Sequence, residues 1–257
     1  MRSRERYLYA AKAATLHFGV SLLVGLVAAW LVYRVWYPDG LHRLTGGAAL
    51  FFLLMAVDVV CGPVLTLVLY SPVKSKLKWR VDMGLIALVQ VTALVYGLIH
   101  VAAARPVFLA FEGDRFRVVQ AFDVDKRHLQ EAQAPFTTLP WNGPKPIGIH
   151  LSTPNDTDYL GSVQMSLLGL HPAFRPSRWR SYSDQRPRIL ELLRPLSQLE
   201  SKNADRLNEL HVVIRKFGIT PEQMGYLPLV NDLVTDWVIV IDRSTALPLG
   251  CIPFDGW

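Results

Sequence analysis

Cysteine is scarce in this chain: Cys61 and Cys251 are the two in 257 residues. One lies in an apolar run and the other near the C-terminus, which excludes a disulfide framework and a cysteine-based metal site. Charge is sparse too, at 19% Asp, Glu, Lys and Arg against 51% hydrophobic residues. That balance excludes a disordered chain and a broadly solvated basic surface. No G-x-S-x-G elbow, phosphate-binding glycine loop, H-E-x-x-H or C-x-x-C occurs, and Gly143-Pro144-Lys145-Pro146 lacks the rest of a Walker loop. The seven histidines stand apart at every spacing that suits a metal. No enzymatic activity, cofactor or metal is expected.

What the chain does have is a net charge of +6, unevenly distributed. Residues 1–104 carry ten basic and four acidic residues, the whole surplus, while residues 105–257 carry seventeen of each. The larger C-terminal part is therefore neutral and offers nucleic acid no basic surface.

Three apolar runs, 13–37, 44–70 and 81–104, each reach the roughly 20 residues needed to cross a hydrocarbon core of about 30 Å. Short connections between them imply antiparallel packing in contact with membrane lipids. Arg2, Arg4, Arg6 and Lys12 precede the first run, and Lys74, Lys76, Lys78 and Arg80 fill the loop 71–80. Basic residues in short flanks stay in the cytoplasm, so residues 1–12 and the loop 71–80 are expected inside and residues 105–257 outside, in the periplasm of a bacterium. The first run is too long for an ordinary signal-peptide core, so it is expected to remain as a span. Trp30, Trp36 and Tyr37 at its outer end suggest an interfacial aromatic belt.

Asp58 lies near the middle of the second span. A carboxyl group there costs about 2.5–3.5 kcal/mol on insertion scales, so it needs a partner or a proton. Gln90 and Thr92 in the third span and Ser21 in the first lie at similar depth. Two readings follow: an Asp58–Gln90 hydrogen bond that fixes helix packing, or a contact for a polar group on another membrane helix. Gly62-Pro63 frees a backbone carbonyl one turn earlier and predicts a kink beside the acid. No second membrane carboxylate or inverted repeat accompanies it, which argues against a transporter.

Residues 105–257 are long enough for a domain with its own core. Residues 106–111 and 115–122 flank Glu112-Gly113-Asp114 as a β-hairpin, and residues 237–241 and 247–252 form a second. The Pro- and Gly-rich stretch 135–154 reads as ordered irregular structure, 155–168 as helix, and apolar residues from Ile189 to Phe217 at helical spacing as two helices laid on a sheet. The fold class expected is three transmembrane α-helices followed by an α+β extracytoplasmic domain. Arg175, Arg178, Trp179 and Arg180 form its one polar cluster suited to binding, by forked guanidinium contacts to an anionic headgroup or an acidic partner. The alternative for these four is a solvated loop with Arg stacked on aromatics.

Several strings occur in a characteristic order. They are Lys12-Ala13-Ala14-Thr15-Leu16-His17, Val35-Trp36-Tyr37-Pro38, the nine residues from Asp58 to Thr66, Ala104-Arg105-Pro106-Val107-Phe108-Leu109-Ala110-Phe111, Asp114-Arg115-Phe116, Tyr226-Leu227-Pro228-Leu229, and Ile252-Pro253-Phe254 before the final Trp257. In these strings the chain resembles the type IV pilin accessory proteins of the TfpX/TfpZ type, departing from them at Cys61 and at Asp255-Gly256. The resemblance implies an inner-membrane accessory factor for the major type IV pilin, promoting pilus assembly or pilin stability without catalysis. On that reading Asp58, Gly62, Pro63 and Gln90 are candidates for a pilin or interhelical contact. A membrane sensor or ligand-binding protein is the alternative, but the cytoplasmic side holds too little chain for an output domain. An anchored hydrolase lacks a recognisable nucleophile and base.

Overall fold

A computed structural model describes residues 3–70 and 74–257. Arg2 of the N-terminal basic group and residues 71–73 of the basic loop lie outside the described residues. The chain divides into two compact units, one holding the chain up to Val35 together with Gly46–Ala103, the other Trp36–Thr45 together with Ala104–Trp257.

The first unit is helical. Helix α1 (Ser3–Trp30) continues through a wider π-type turn, Leu31–Trp36. A short helix α2 (Leu41–Leu44) belongs to the other unit and precedes α3 (Gly47–Leu69) and α4 (Lys76–Ala103). Three helical segments, Tyr7–Trp36, Phe51–Leu69 and Lys76–Ala103, are long and apolar enough to cross a membrane, as the apolar runs predict. Helix α3 packs against both α1 and α4. Glycines let it do so closely: a Cβ on Gly25 would lie 2.5 Å from Met55 Cε, and one on Gly97 2.3 Å from a methyl of Leu54. At one end Lys74 donates to the Leu69 carbonyl at 2.8 Å, satisfying a terminal α3 acceptor, and pairs with Asp82 at 2.5 Å.

The second unit is an α+β domain. Strands β1 (Pro106–Phe111), β2 (Phe116–Gln120), β3 (Lys145–Ile149), β4 (Trp179–Arg180), β5 (Arg194–Pro195), β6 (Met224–Val230), β7 (Trp237–Asp242) and β8 (Pro248–Ile252) make one mixed sheet. Its order is β4-β3-β1-β2-β6-β7-β8, with β5 beside β6. Both expected hairpins are present as the antiparallel pairs β1–β2 and β7–β8, while β1–β3 and β2–β6 are parallel. Between the strands lie α5 (Tyr159–Leu167), α6 (Tyr182–Leu192), α7 (Leu196–Lys202) and α8 (Leu207–Ile214). Helix α5 falls inside the stretch expected to be helical. Pro195 divides the long helical signal, as its missing N–H dictates, and enters β5 instead.

Besides the two-residue strands β4 and β5, two longer strands depart from the sequence expectation. Lys145–Ile149, read as irregular, is β3; its Pro146 is tolerated because β4 pairs with Gly148 and Ile149 alone, leaving the earlier part of β3 as an edge. Strand β6 is fully buried although it contains Gly225 and Pro228. On one side of it β5 meets Gly225 and Tyr226 while β2 meets Leu229 and Val230, so Pro228 falls between two short neighbours.

Alternation along the strands sends residues to two faces. One face, with Leu109, Phe111, Leu229 and Ile239, is covered by Tyr182, Ile189 and Leu193 and by Leu41 and Leu44 of the connector between the first two helices. The other is covered partly by Phe174 and Val124 and partly by α7 and α8. Leu41 and Leu44 are 0% and 2% exposed, so the connector is a core element of the domain. Pro38-Asp39-Gly40 turns the chain into it, with Asp39 and Gly40 both left-handed at φ 55° and 74°. Asn231 Nδ2 donates to the Leu44 carbonyl at 2.6 Å, and Asn231 Oδ1 accepts from Leu233 and Val234. The domain is thus discontinuous in sequence and includes ten residues upstream of 105–257.

This changes the reading of two aromatics. Trp36 and Tyr37 are 8% and 0% exposed within the domain, with Trp36 6.2 Å from Trp141, so they pack there and do not form a lipid-facing belt. Arg105 lies 3.9 Å over the same Trp141 ring. Trp30 is exposed.

Candidate functional site

The helical unit contains a cavity of about 150 Å³ lined from all three long helices. Its polar lining is His17 and Ser21 of α1, Asp58 of α3 and Gln90 of α4; Val20, Met55 and Leu94 are among the apolar side chains. Helical geometry puts these groups together. His17 and Ser21 are one turn apart, and Asp58, Gly62 and Thr66 follow each other in steps of four on one face of α3.

The hydrogen bonds differ from the simplest expectation in one respect. Gln90 Nε2 donates to the backbone carbonyl of Asp58 at 2.9 Å, so the expected Asp58–Gln90 pairing exists but leaves the carboxyl group unused. Among the described residues the half-buried Asp58 carboxyl has no hydrogen-bond or ion-pair partner, and it borders the cavity. Gly62 makes the Gln90 bond possible, since a Cβ there would sit 2.0 Å from Gln90 Nε2. Helix α3 runs through Pro63 as one helix; the proline removes the donor for the Val59 carbonyl, next to the carbonyl that Gln90 meets. A second interhelical bond joins His17 Nδ1 to the buried Thr66 Oγ1 at 2.6 Å. His17 and Thr66 lie outside the candidate residues that the sequence points to. Their four-residue spacing from Ser21 and Gly62 was the signal that could have found them.

The arginine cluster of the domain is rearranged relative to the sequence expectation. Trp179 is fully buried and its indole N–H donates to the Ala173 carbonyl at 2.8 Å, so it is a core side chain and no part of an exposed patch. Arg180 folds back onto the carbonyls of Ser177 and Trp179. Arg178 pairs with Asp158 and donates to Ser152 Oγ at 2.7 Å, which ties it to the start of α5. Arg175 reaches the middle of α5, donating to Ser162 Oγ at 2.8 Å. Burial and the neighbouring Arg178 push the Arg175 guanidinium below its ordinary value, with Asp158 acting the other way.

Three membrane-length helices around a polar cavity, followed by an α+β domain that the first inter-helix connector completes, define a polytopic membrane protein with a substantial extramembrane part. The chain belongs to the fimbrial assembly protein family. The family model for the fimbrial assembly protein FimB matches residues 5–46, which cover α1 and the connector with α2. The fimbrial assembly protein of serogroup E1 of Dichelobacter nodosus is 32% identical over 94% of this chain and 94% of its own length. The serogroup I protein of that organism gives the same identity and coverage. Its protein of serogroups C1 and C2 is 38% identical over 51% of this chain and 99% of its own length. No solved structure matches the chain. The role is therefore in fimbrial assembly, within type IV pilus biogenesis, in association with a membrane.

Proposed function

We propose that the protein is a non-catalytic accessory factor of the bacterial inner membrane that binds the major type IV pilin and promotes its assembly or stability. On this reading the N-terminus and the loop 71–80 are cytoplasmic and the α+β domain is periplasmic. The basic flanks support that orientation. The folding of the inter-helix connector into the C-terminal domain supports three spans, because both stretches must then lie on one side.

The observation that carries the pilin contact is the Asp58 carboxyl group, unpartnered among the described residues beside a cavity lined by His17, Ser21 and Gln90. In hydrocarbon a carboxyl group retained without an internal partner serves a group that arrives from outside the bundle. A membrane helix of the pilin offering a hydrogen-bond donor supplies that group, while the domain meets the pilin's soluble part.

Replacing Asp58 by Ala or Asn, and measuring surface piliation alongside pilin recovered with the tagged protein, tests this. Ala is expected to weaken pilin recovery about tenfold, the loss of one charge-assisted hydrogen bond in an apolar medium, and Asn to retain part of it. Wild-type piliation and recovery in both variants would remove Asp58 from the mechanism.

A further inference from the structure

Two aromatic side chains of the α+β domain are left out of its core. Phe122 and Trp141 are each 59% exposed, Phe122 in the turn after β2 and Trp141 in the stretch before β3. Phe108, Phe111, Phe116, Trp179 and Phe254 of the same domain are fully buried. A single exposed ring is ordinary, but these two share a place in the fold.

Both stand beside Arg105, the second residue after the end of α4 at Ala103. The Ala121 N–H donates to the Arg105 carbonyl at 2.9 Å, which sets Phe122 one residue from that contact. The Arg105 guanidinium lies 3.9 Å over the Trp141 ring, and its Nη2 donates to the Pro140 carbonyl at 3.3 Å. The Trp141 ring also lies 6.2 Å from that of Trp36, the last residue of the first membrane-length segment. The exposed rings therefore cluster where the chain of the domain runs on into two apolar helices, at Trp36 and at Arg105.

We propose that Phe122 and Trp141 anchor the α+β domain in the interface of the bilayer, a membrane contact additional to the spans, with the Arg105 guanidinium at the level of the headgroups. Aromatic rings with a polar edge favour that layer, and a guanidinium lying over a ring reaches water or phosphate while its stem stays apolar. Lipid is the occupant because the helices that continue from Trp36 and Arg105 are immersed in it, so the two rings meet it without a further partner. The acid next to Phe122 does not oppose this, since the Asp123 carboxylate is engaged by the Gln120 N–H at 2.8 Å. The aromatic belt that the sequence places at Trp36 and Tyr37 is thus supplied by loops of the domain. This inference rests on the reading of Tyr7–Trp36 and Lys76–Ala103 as spans and is independent of the pilin contact.

The test uses the full-length protein in nanodiscs of phosphatidylethanolamine and phosphatidylglycerol, with a photo-crosslinking side chain placed singly at Phe122, Trp141 or Leu160. Leu160 is the control: it is 79% exposed, but Arg178 pairs with Asp158 and accepts from the His150 N–H, which ties the start of α5 to the end of β3 opposite Arg105. Lipid adducts are expected at 122 and 141 and are expected to be lost at 160. A second measurement leaves the packing of the loop intact. Lipids brominated near the glycerol should quench part of the tryptophan fluorescence of the wild type, and Trp141→Phe should lose that part. Lipid adducts at 160 equal to those at 122 and 141 would show that exposure alone governs them and would overturn the inference. So would crosslinks at 122 and 141 to a second copy of the chain in place of lipid, or quenching that Trp141→Phe leaves unchanged.

Discussion

Gly62 shows how much one missing side chain can decide. Its empty Cβ position is occupied by the Gln90 amide group, which reaches through it to the Asp58 carbonyl. In Gly62→Ala the amide must swing away, because the new methyl group would sit 2.0 Å from its nitrogen. We expect a loss of about 1 kcal/mol in the stability of the helical unit in detergent, of the size measured for single interhelical hydrogen bonds. Adding Gln90→Ala to Gly62→Ala should cost little more, and a double-mutant cycle reads the coupling. Independent effects of the two substitutions would show that the bond is not what Gly62 protects. The sequence revealed these residues because an acid, a glycine and a glutamine are conspicuous in apolar runs. It could not reveal that Gln90 would choose the backbone oxygen, since a side-chain amide can donate to a carbonyl or a carboxylate and the packing of the two helices decides which one it reaches. Trp179 failed as a surface residue for a related reason: beside arginines it resembled a stacking platform, yet its ring fills the core and its one polar atom is satisfied by Ala173.

The element with the largest effect on the architecture is the shortest helix, α2. Its sequence, Leu41-His42-Arg43-Leu44, follows Pro38-Asp39-Gly40 and is punctuated like a loop. Both leucines nevertheless join the core between the sheet and α6. Leu41→Ala and Leu44→Ala are each expected to destabilise the domain by about 2–5 kcal/mol, the cost of deleting fully buried leucine atoms, readable as a drop in the thermal midpoint. A fragment of residues 105–257 alone should bind a hydrophobic dye and lack a cooperative transition. Fusing residues 36–45 ahead of it through a flexible linker should restore one, and a fragment that folds cooperatively without them would show the connector to be dispensable. The two hairpins were legible because β1, β2 and β7 are rich in β-branched and aromatic residues and clear turns follow β1 and β7. Strand β6 was hidden by Gly225 and Pro228, which normally disqualify a central strand and are accommodated here by the short reach of β2 and β5.

For the whole molecule, the net charge of +6 lies entirely before residue 105, and on the proposed arrangement it is a record of topology. The neutral α+β domain and the basic flanks lie on opposite sides in the proposed arrangement. Single cysteines at Leu233, which is 92% exposed, and at Lys78 test this with a membrane-impermeant thiol reagent on cells with a permeable outer membrane. Labelling is expected at Leu233→Cys in intact inner membranes and at Lys78→Cys only after lysis, and the reverse pattern would invert the orientation. The length of the apolar runs made the number of spans readable. That the first inter-helix connector belongs to the domain was not readable, because ten residues between two spans carry no periodicity to place them.

The split core also imposes an order of events during synthesis. Leu41 and Leu44 leave the ribosome more than sixty residues before the first strand they pack against. They must wait until two further spans have been inserted and β1 follows. A chain whose third span fails to cross leaves those leucines in one compartment and their sheet in the other. Such a copy cannot bury its core, so completion of the domain certifies correct insertion, and misinserted chains remain open to proteolysis.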